Sequence, residues 1–166
     1  NYKVTLKALN HLQEFPSVKI AMSLSDPGIV MGFRDKFREL ESFGLDYVFG
    51  NDEEAIAFAE SENIENALIE LQKKSYTSII TSGKNGSTIV TQDEIISSVG
   101  QKIIAIDTNG AGDMFAGSFL FALLENKDLQ SCADFANFAA SKVVETFGPR
   151  LSKDEYIKVI NNYKKS

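Results

Sequence analysis

The sequence contains one cysteine, Cys132, and one histidine, His11, among its 166 residues. A single cysteine excludes an internal disulfide framework, and the scarcity of both residue types excludes a metal site built from cysteine and histidine. The lone cysteine fits a reducing cytoplasm. Because Cys132 lies within a helical apolar pattern, a buried core thiol is favoured over a catalytic cysteine–histidine pair.

Positive charge and long apolar runs are also scarce. The chain has 17 lysines and arginines against 23 acidic residues, which leaves a net charge of −6 at pH 7. An acidic chain without a basic cluster is not expected to bind nucleic acid. The apolar runs are shorter than a membrane span, so no membrane partner is expected. The composition is that of one globular domain over residues 1–166.

Short apolar runs alternate with helical patterns along the chain. Helices are predicted at 2–14, 30–43, 52–60, 64–74, 112–125, 129–146 and 153–164. Strands are predicted at 18–24, 47–50, 77–83 and 102–106, with a hairpin over 87–99. This alternation predicts an α/β layered fold with a mostly parallel sheet. Ligands bind such sheets beyond the carboxyl ends of the strands, where several polar or glycine-rich turns lie.

The turn Asp107-Thr-Asn-Gly-Ala-Gly-Asp113 places two carboxylates around two glycines, between two apolar runs. Glycine leaves backbone N–H groups unobstructed, and a helix that begins near Gly112 adds its positive dipole end. Together these features predict a cradle for a phosphate group. A carboxylate at Asp113, in the first helical turn, can accept a proton from a hydroxyl group.

The same turn has a simpler interpretation, in which Asp107 ends a strand and Thr108 or Asp113 caps a helix. Composition alone does not decide between the two. Neither a Walker A motif nor a GxGxxG fingerprint is present in the sequence. The missing fingerprint disfavours a dinucleotide-dependent oxidoreductase.

The residues from Asp107 to Phe115 read Asp-Thr-x-Gly-Ala-Gly-Asp-x-Phe and resemble the second signature of the ribokinase-like (PfkB) carbohydrate and nucleoside kinases. Three further segments resemble the family in the same order: Asn51-x-x-Glu54, TSGKNGSTIV and the Ala-rich ADFANFAASKVVETFGP. The run AMSLSDPGIV resembles the adenosine-kinase-like branch. Together these segments cover nearly the whole chain.

The resemblance implies transfer of the γ-phosphate of ATP to a hydroxyl group of a sugar or nucleoside. It implies that Asp113 is the general base. The anion hole would consist of Gly110, Ala111 and Gly112. Asn51 and Glu54 would hold Mg²⁺ and phosphates through water, which suits a cation that keeps its hydration shell.

The resemblance also implies a nucleotide site and a cation site. Ser82, Gly83 and Gly86 would lie along the nucleotide, with Asn137 and Ala140 near the adenine. Asp107 and Asn109, with backbone near Gly148, match positions that hold a monovalent cation such as K⁺ in many relatives.

Structural alternatives remain open for several of these residues. Asn51 and Glu54 are equally typical of a helix capping box. Gly83 and Gly86 are typical turn residues, and Ala140 suits close helix packing.

Members of the family are considerably longer, and their N-terminal signature, most of their substrate-binding residues and their lid have no match here. We therefore expect a C-terminal portion that alone shows little kinase activity. A homodimer is implied only for the full-length protein. The acceptor stays open among adenosine, other nucleosides and ribose-like sugars. The alternative function is a non-catalytic nucleotide-binding or assembly module on the same scaffold.

Overall fold

The computed structural model describes residues 2–163. Its strands are β1 (Ala21–Ser23), β2 (Tyr47–Asn51), β3 (Thr77–Thr81), β4 (Gly86–Val90) and β5 (Ile95–Val99). They form a five-stranded sheet in the order β1-β2-β3-β4-β5. β1 and β2 pair in parallel, with Ala21 opposite Tyr47 and Ser23 opposite Phe49. The prediction of an α/β class with a mostly parallel sheet is confirmed.

Helices flank the sheet and fill most of the connections. Within the described residues they are α1 (Tyr2–Leu12), α2 (Pro27–Gly32), α3 (Arg34–Glu41), α4 (Asp52–Phe58), α5 (Ile64–Gln72), α6 (Ala111–Leu124), α7 (Leu129–Val144) and α8 (Lys153–Tyr163). None of them is long and apolar enough to cross a membrane.

The single helix predicted over 30–43 is wrong, because the structure divides it at Phe33. Phe33 has non-helical backbone angles, φ −130° and ψ 28°, and separates α2 from α3. α2 begins earlier than predicted because the Asp26 side chain accepts a hydrogen bond from the N–H of Ile29, and Pro27 suits the first helical position. The predicted turn at 25–28 is therefore the cap of a helix.

The strand predicted over 102–106 is also wrong. This segment has no regular secondary structure, and Ile104 and Ile106 are 87% and 66% exposed. The N–H of Ile106 donates to the carbonyl of Val144 at the end of α7, at 2.7 Å, instead of to a strand. Apolar, β-branched composition predicts a strand, but a strand also needs a neighbouring strand to pair with.

The described chain comprises two compact units. The first contains residues 2–80 and 90–95, and the second contains residues 81–89 and 96–163. The first unit buries two apolar clusters, one around Leu24, Val30 and Val48 and the other around Leu71 and Ile80. The prediction of one domain over 1–166 stays a prediction.

In the second unit, α6 packs against α7. Phe115, Phe119 and Phe135 are buried there, and the prediction that Cys132 is a core thiol is confirmed, since it is 0% exposed. Burial raises the pKa of the Cys132 thiol to about 11. Phe121 and Phe138 are only half-buried. This unit holds both the glycine turn before α6 and the turn that leads into β4.

Candidate functional site

The turn that precedes α6 requires glycine at its centre. Gly110 has φ +77°, in the left-handed region, and a Cβ there would lie 2.2 Å from the carbonyl oxygen of Pro149. No side chain fits that space, and the left-handed angle is itself unfavourable for other residues. Gly110 therefore holds the turn directly against the loop that follows α7.

The Asp107 carboxylate bridges the same two loops through hydrogen bonds. Its Oδ1 accepts a hydrogen bond from the N–H of Asn109 and its Oδ2 accepts one from the N–H of Gly148, both at 3.0 Å. These two backbone hydrogen bonds, with that of Asn109 the larger cause, lower the pKa of Asp107 from its usual value of 3.8. The structure thus brings Asp107 together with the N–H groups of Asn109 and Gly148, and the role of Asp107 and Asn109 with a monovalent cation stays a prediction.

The first amides of α6 are open. Gly110 is the N-cap residue and supplies no side-chain acceptor. The N–H of Ala111 donates to the carbonyl of Thr108, but no residue within 2–163 accepts a hydrogen bond from the N–H of Gly112 or Asp113. Unpaired amides at the start of a helix attract anions because the helix dipole adds to them.

Asp113 lies in the first turn of α6 and is exposed. It lines a cavity of about 590 Å³ together with Met114, Gly117, Arg150 and Tyr156. Ala111 and Gly112, directly before it, line a different cavity. The start of α6 therefore lies between two cavities of the second unit: Ala111 and Gly112 line one, here called the amide-side cavity, and Asp113 lines the other.

The cavity on the amide side has a volume of about 370 Å³. Six residues predicted for the site line it: Gly83, Gly86, Ala111, Gly112, Asn137 and Ala140. Its volume is within the usual range for small-molecule sites, about 300 to 1,000 Å³. Ser82 lies just outside this lining, where its N–H donates to the carbonyl of Gly86 at 2.8 Å.

The turn between β3 and β4 packs closely against the backbone at the end of β5, and both segments line this cavity. Gly86 has φ +105°, and a Cβ there would lie 2.0 Å from the carbonyl oxygen of Ser98. A Cβ on Gly100 would lie 2.3 Å from the carbonyl oxygen of Lys84. Both glycines permit a backbone approach that no side chain allows. Gly86 is thus a turn residue and a cavity residue at once.

Asn137 is held by hydrogen bonds at the wall of the cavity. Its side chain is buried, and Nδ2 donates to Ser98 Oγ at 2.7 Å, to Ser87 Oγ at 3.1 Å and to the Ser98 carbonyl at 3.3 Å. One turn further along α7, Ala140 is half-buried and lines the cavity. Its neighbour Ala139 is buried in the core, so the small residues of α7 serve both packing and the cavity.

Asn51 and Glu54 belong to the first unit and form a complete capping box. Asn51 Oδ1 accepts from the N–H of Glu54 at 2.9 Å, and Glu54 Oε2 accepts from the N–H of Asn51 at 3.0 Å. Glu54 Oε1 also accepts from Asn51 Nδ2 at 2.9 Å. Burial is the main cause that raises the pKa of Glu54 above its usual value of 4.5. The structural alternative for these two residues is confirmed, and their role with magnesium stays a prediction.

Sequence reasoning missed several residues that line the amide-side cavity. Lys84, between the two predicted glycines, supplies positive charge, and Ile103 and Ala105 supply an apolar wall. The position of Lys84 between Gly83 and Gly86 is enough to predict it as a residue of the same site. Ile103 and Ala105 alternate, as in a strand, but such a pattern predicts sheet pairing and not a cavity wall. Across residues 2–163, no group of three or more histidine, cysteine or acidic residues is placed to hold a metal ion.

Comparison with known proteins identifies the family of this arrangement. The model of the pfkB family carbohydrate kinases matches residues 2–155. The chain belongs to the pfkB family. Adenosine kinase 1 of Arabidopsis thaliana is 32% identical over a match that covers 76% of this chain.

Solved structures of adenosine kinases share the fold. Adenosine kinase from Sinorhizobium meliloti matches with a TM-score of 0.82 at 32% identity, over 88% of this chain. Adenosine kinase of Anopheles gambiae, in complex with a di(adenosine-5) tetraphosphate, matches with a TM-score of 0.76 at 25% identity, over 89% of this chain. The predicted ribokinase-like fold and its adenosine-kinase-like branch are confirmed.

The chain spans about half the length of these relatives or less. The match covers 41% of the Arabidopsis protein, 45% of the Sinorhizobium chain and 48% of the Anopheles chain.

Proposed function

We propose that this pfkB chain is the nucleotide-binding part of a kinase that transfers the γ-phosphate of ATP to a hydroxyl group of a nucleoside or ribose-like sugar. The observation that carries the proposal is the start of α6, where the amides of Gly112 and Asp113 have no acceptor among the described residues. The relatives' names favour adenosine as the acceptor.

The lining of the amide-side cavity supports ATP as its ligand. Apolar Ile103 and Ala105 suit the face of a purine ring, and buried Asn137 supplies a polar group for its edge. The phosphates would extend toward Lys84 and the open amides of α6, where opposite charge stabilises them. An adenosine kinase relative with a bound di(adenosine-5) tetraphosphate supports this choice of ligand.

Asp113 is the general base in this proposal, and the amides that follow Gly110 are the anion hole. Asp113 lines the second cavity, so the acceptor hydroxyl would approach from that side while the phosphate is held from the other. This arrangement suits an in-line transfer, in which the protein mainly positions the reactants and stabilises developing charge.

The donor sets fit the proposed cations. Asn51 Oδ1 and the Glu54 carboxylate are oxygen acceptors that already take part in the capping box, which suits Mg²⁺ held through water. Mg²⁺ would neutralise charge on the phosphate oxygens. Asp107 and Asn109, beside the Gly148 loop, would hold a monovalent cation such as K⁺. A homodimer and a cytoplasmic location stay predictions.

Calorimetric titration of the chain with ATP and Mg²⁺ tests the nucleotide site. Ala140→Leu fills the cavity, so we expect an affinity at least about tenfold lower. Ala116→Leu is the matched control, because Ala116 is also a half-buried helical alanine of the same unit and lies outside the cavity lining. Equal affinities for both variants would contradict the assigned site.

A coupled assay of ADP release by the full-length protein tests the reaction. We expect turnover with adenosine or a ribose-like sugar as the acceptor. ATP binding without transfer to any of these acceptors would contradict the kinase proposal and favour the alternative, a non-catalytic nucleotide-binding module.

A further inference from the structure

A chain of hydrogen bonds leads from the surface of α7 to the wall of the amide-side cavity. Ser98 Oγ donates to Asp134 Oδ1 at 2.6 Å, and Gln130 Nε2 donates to the same oxygen at 2.9 Å. Asn137 Nδ2 in turn donates to Ser98 Oγ at 2.7 Å. All four residues belong to the second unit.

The carboxylate of Asp134 sets the direction of this chain. An ionised carboxylate only accepts hydrogen bonds, so the single proton of the Ser98 hydroxyl points toward Asp134. The lone pairs of Ser98 Oγ then face Asn137 and require a donor. The backbone carbonyl of Ser98, 3.3 Å from Asn137 Nδ2, also accepts only.

The orientation of the Asn137 carboxamide follows from these acceptors. Its Nδ2 must face Ser98, because Oδ1 in that place would meet the lone pairs of two oxygens. Its Oδ1 is on the other side of the planar amide, and no described residue donates a hydrogen bond to it. Asn137 itself lines the cavity while only 8% exposed.

We propose that Asp134 and Ser98 are positioning residues that hold Asn137 with Oδ1 toward the cavity, so that the cavity favours a nucleobase edge that carries an amino N–H donor. This preference rests on the proposed function, whereas the fixed orientation of the amide does not. A buried acceptor that is left without a donor costs binding free energy. A purine with a 6-amino group supplies that donor, and the same purine with hydrogen at this position does not.

Titration of the chain with ATP and with purine riboside 5′-triphosphate, which lacks only the amino group, tests the preference. We expect ATP to bind about five- to tenfold more tightly. Ser98→Ala removes the linking oxygen, and Asp134→Asn removes the group that only accepts. Since neither residue lines the cavity, we expect both variants to reduce the ratio of the two affinities to less than about half.

Asp154→Asn is the matched control. It removes one carboxylate from an exposed position of the same unit, in the first turn of α8, and should keep the ratio. Conservative replacement Asp134→Glu restores an acceptor-only group and should recover part of the ratio. Equal affinities of the unsubstituted chain for the two triphosphates, or ratios unchanged in both Ser98→Ala and Asp134→Asn, would overturn the proposed preference.

Nuclear magnetic resonance of the nucleotide-free chain tests the fixed amide separately. We expect the Asn137 Nδ2 protons to exchange slowly with water, and to shift in Ser98→Ala and Asp134→Asn but not in Asp154→Asn. Unshifted resonances in the first two variants would overturn the positioning role even if nucleotides bind. Failure to bind either triphosphate would contradict the proposed function and the base preference, while the resonances still decide the orientation.

Discussion

Two turns that lead into helices of this chain are built in opposite ways. Before α4, Asn51 and Glu54 satisfy each other's backbone N–H groups in a capping box. Before α6, Gly110 offers no side chain, and the amides of Gly112 and Asp113 find no acceptor within residues 2–163. A capping side chain stabilises a helix but occupies the N–H groups that an anion would need. The glycine turn forgoes that stabilisation and leaves the amides for a ligand.

The carboxylates of the two turns also differ, in their burial and in the groups that they contact. Glu54 is only 7% exposed, and its hydrogen bonds return to its own helix start. Asp107 instead joins two loops through backbone amides. Burial therefore dominates at the first carboxylate and backbone donors dominate at the second, which explains why their pKa values move in opposite directions.

Loss of the carboxylate at Asp113 should have a much larger effect on kcat than loss of a carboxylate at the other turn. In the full-length protein, we expect Asp113→Asn to lower kcat by about 10² to 10⁴ with ATP affinity nearly unchanged, because the amide cannot accept the hydroxyl proton. Glu53→Gln is the matched control, an exposed carboxylate in the first turn of α4. Steady-state assays of ADP release measure both. Similar kcat values for the two variants would remove Asp113 as the base.

The stability of glycine variants tests whether the turn before α6 requires glycine at position 110. We expect Gly110→Ala to destabilise the fold by about 2 kcal/mol or more, since alanine disfavours φ +77° and its Cβ would meet the Pro149 carbonyl. Gly112→Ala, with nothing within 4 Å of a Cβ, should leave stability unchanged or raise it. Urea unfolding followed by circular dichroism compares them. Equal midpoints would contradict the required close approach at Gly110.

Most of the fold could be predicted from the sequence, because burial of one face of a helix or strand imposes a periodic pattern of apolar residues. The alternation of apolar runs with helical patterns gave the class, and glycines at 83, 86 and 110 marked turns that the structure contains. The errors arose where local pattern and long-range pairing disagree. The segment 102–106 has strand composition, yet its backbone hydrogen bond goes to the end of α7.

The site was readable only in part, for a related reason. The turn at 107–113 combines its residues within one short segment, so its motif is visible in the sequence. The contacts of Asn137 with Ser87 and Ser98 join residues 50 and 39 positions apart, which no local spacing reports. The capping box of Asn51 and Glu54 is a local motif, and it predicted the structural role of these residues correctly. Their role with magnesium stays a prediction.

The smallest expected effect concerns how pH acts on the two turns. Because the pKa of Glu54 is raised on folding, its contribution to stability is fully present below its usual value of 4.5 and is lost as pH rises through the folded pKa. Because the pKa of Asp107 is lowered, its contribution is present above 3.8 and is lost as pH falls through the folded pKa. The two turns should therefore respond to pH in opposite directions.

Urea unfolding of the nucleotide-free chain from about pH 3 to about pH 7 measures these responses. The stability of the unsubstituted chain relative to Glu54→Gln should fall as pH rises, whereas its stability relative to Asp107→Asn should fall as pH drops below 3.8. Taking differences between variants cancels the titration of every other group that the substitutions leave unperturbed. If both stability differences changed with pH in the same direction, burial would not distinguish the carboxylate of the capped turn from that of the open turn. The electrostatic contrast between the two turns would then be wrong.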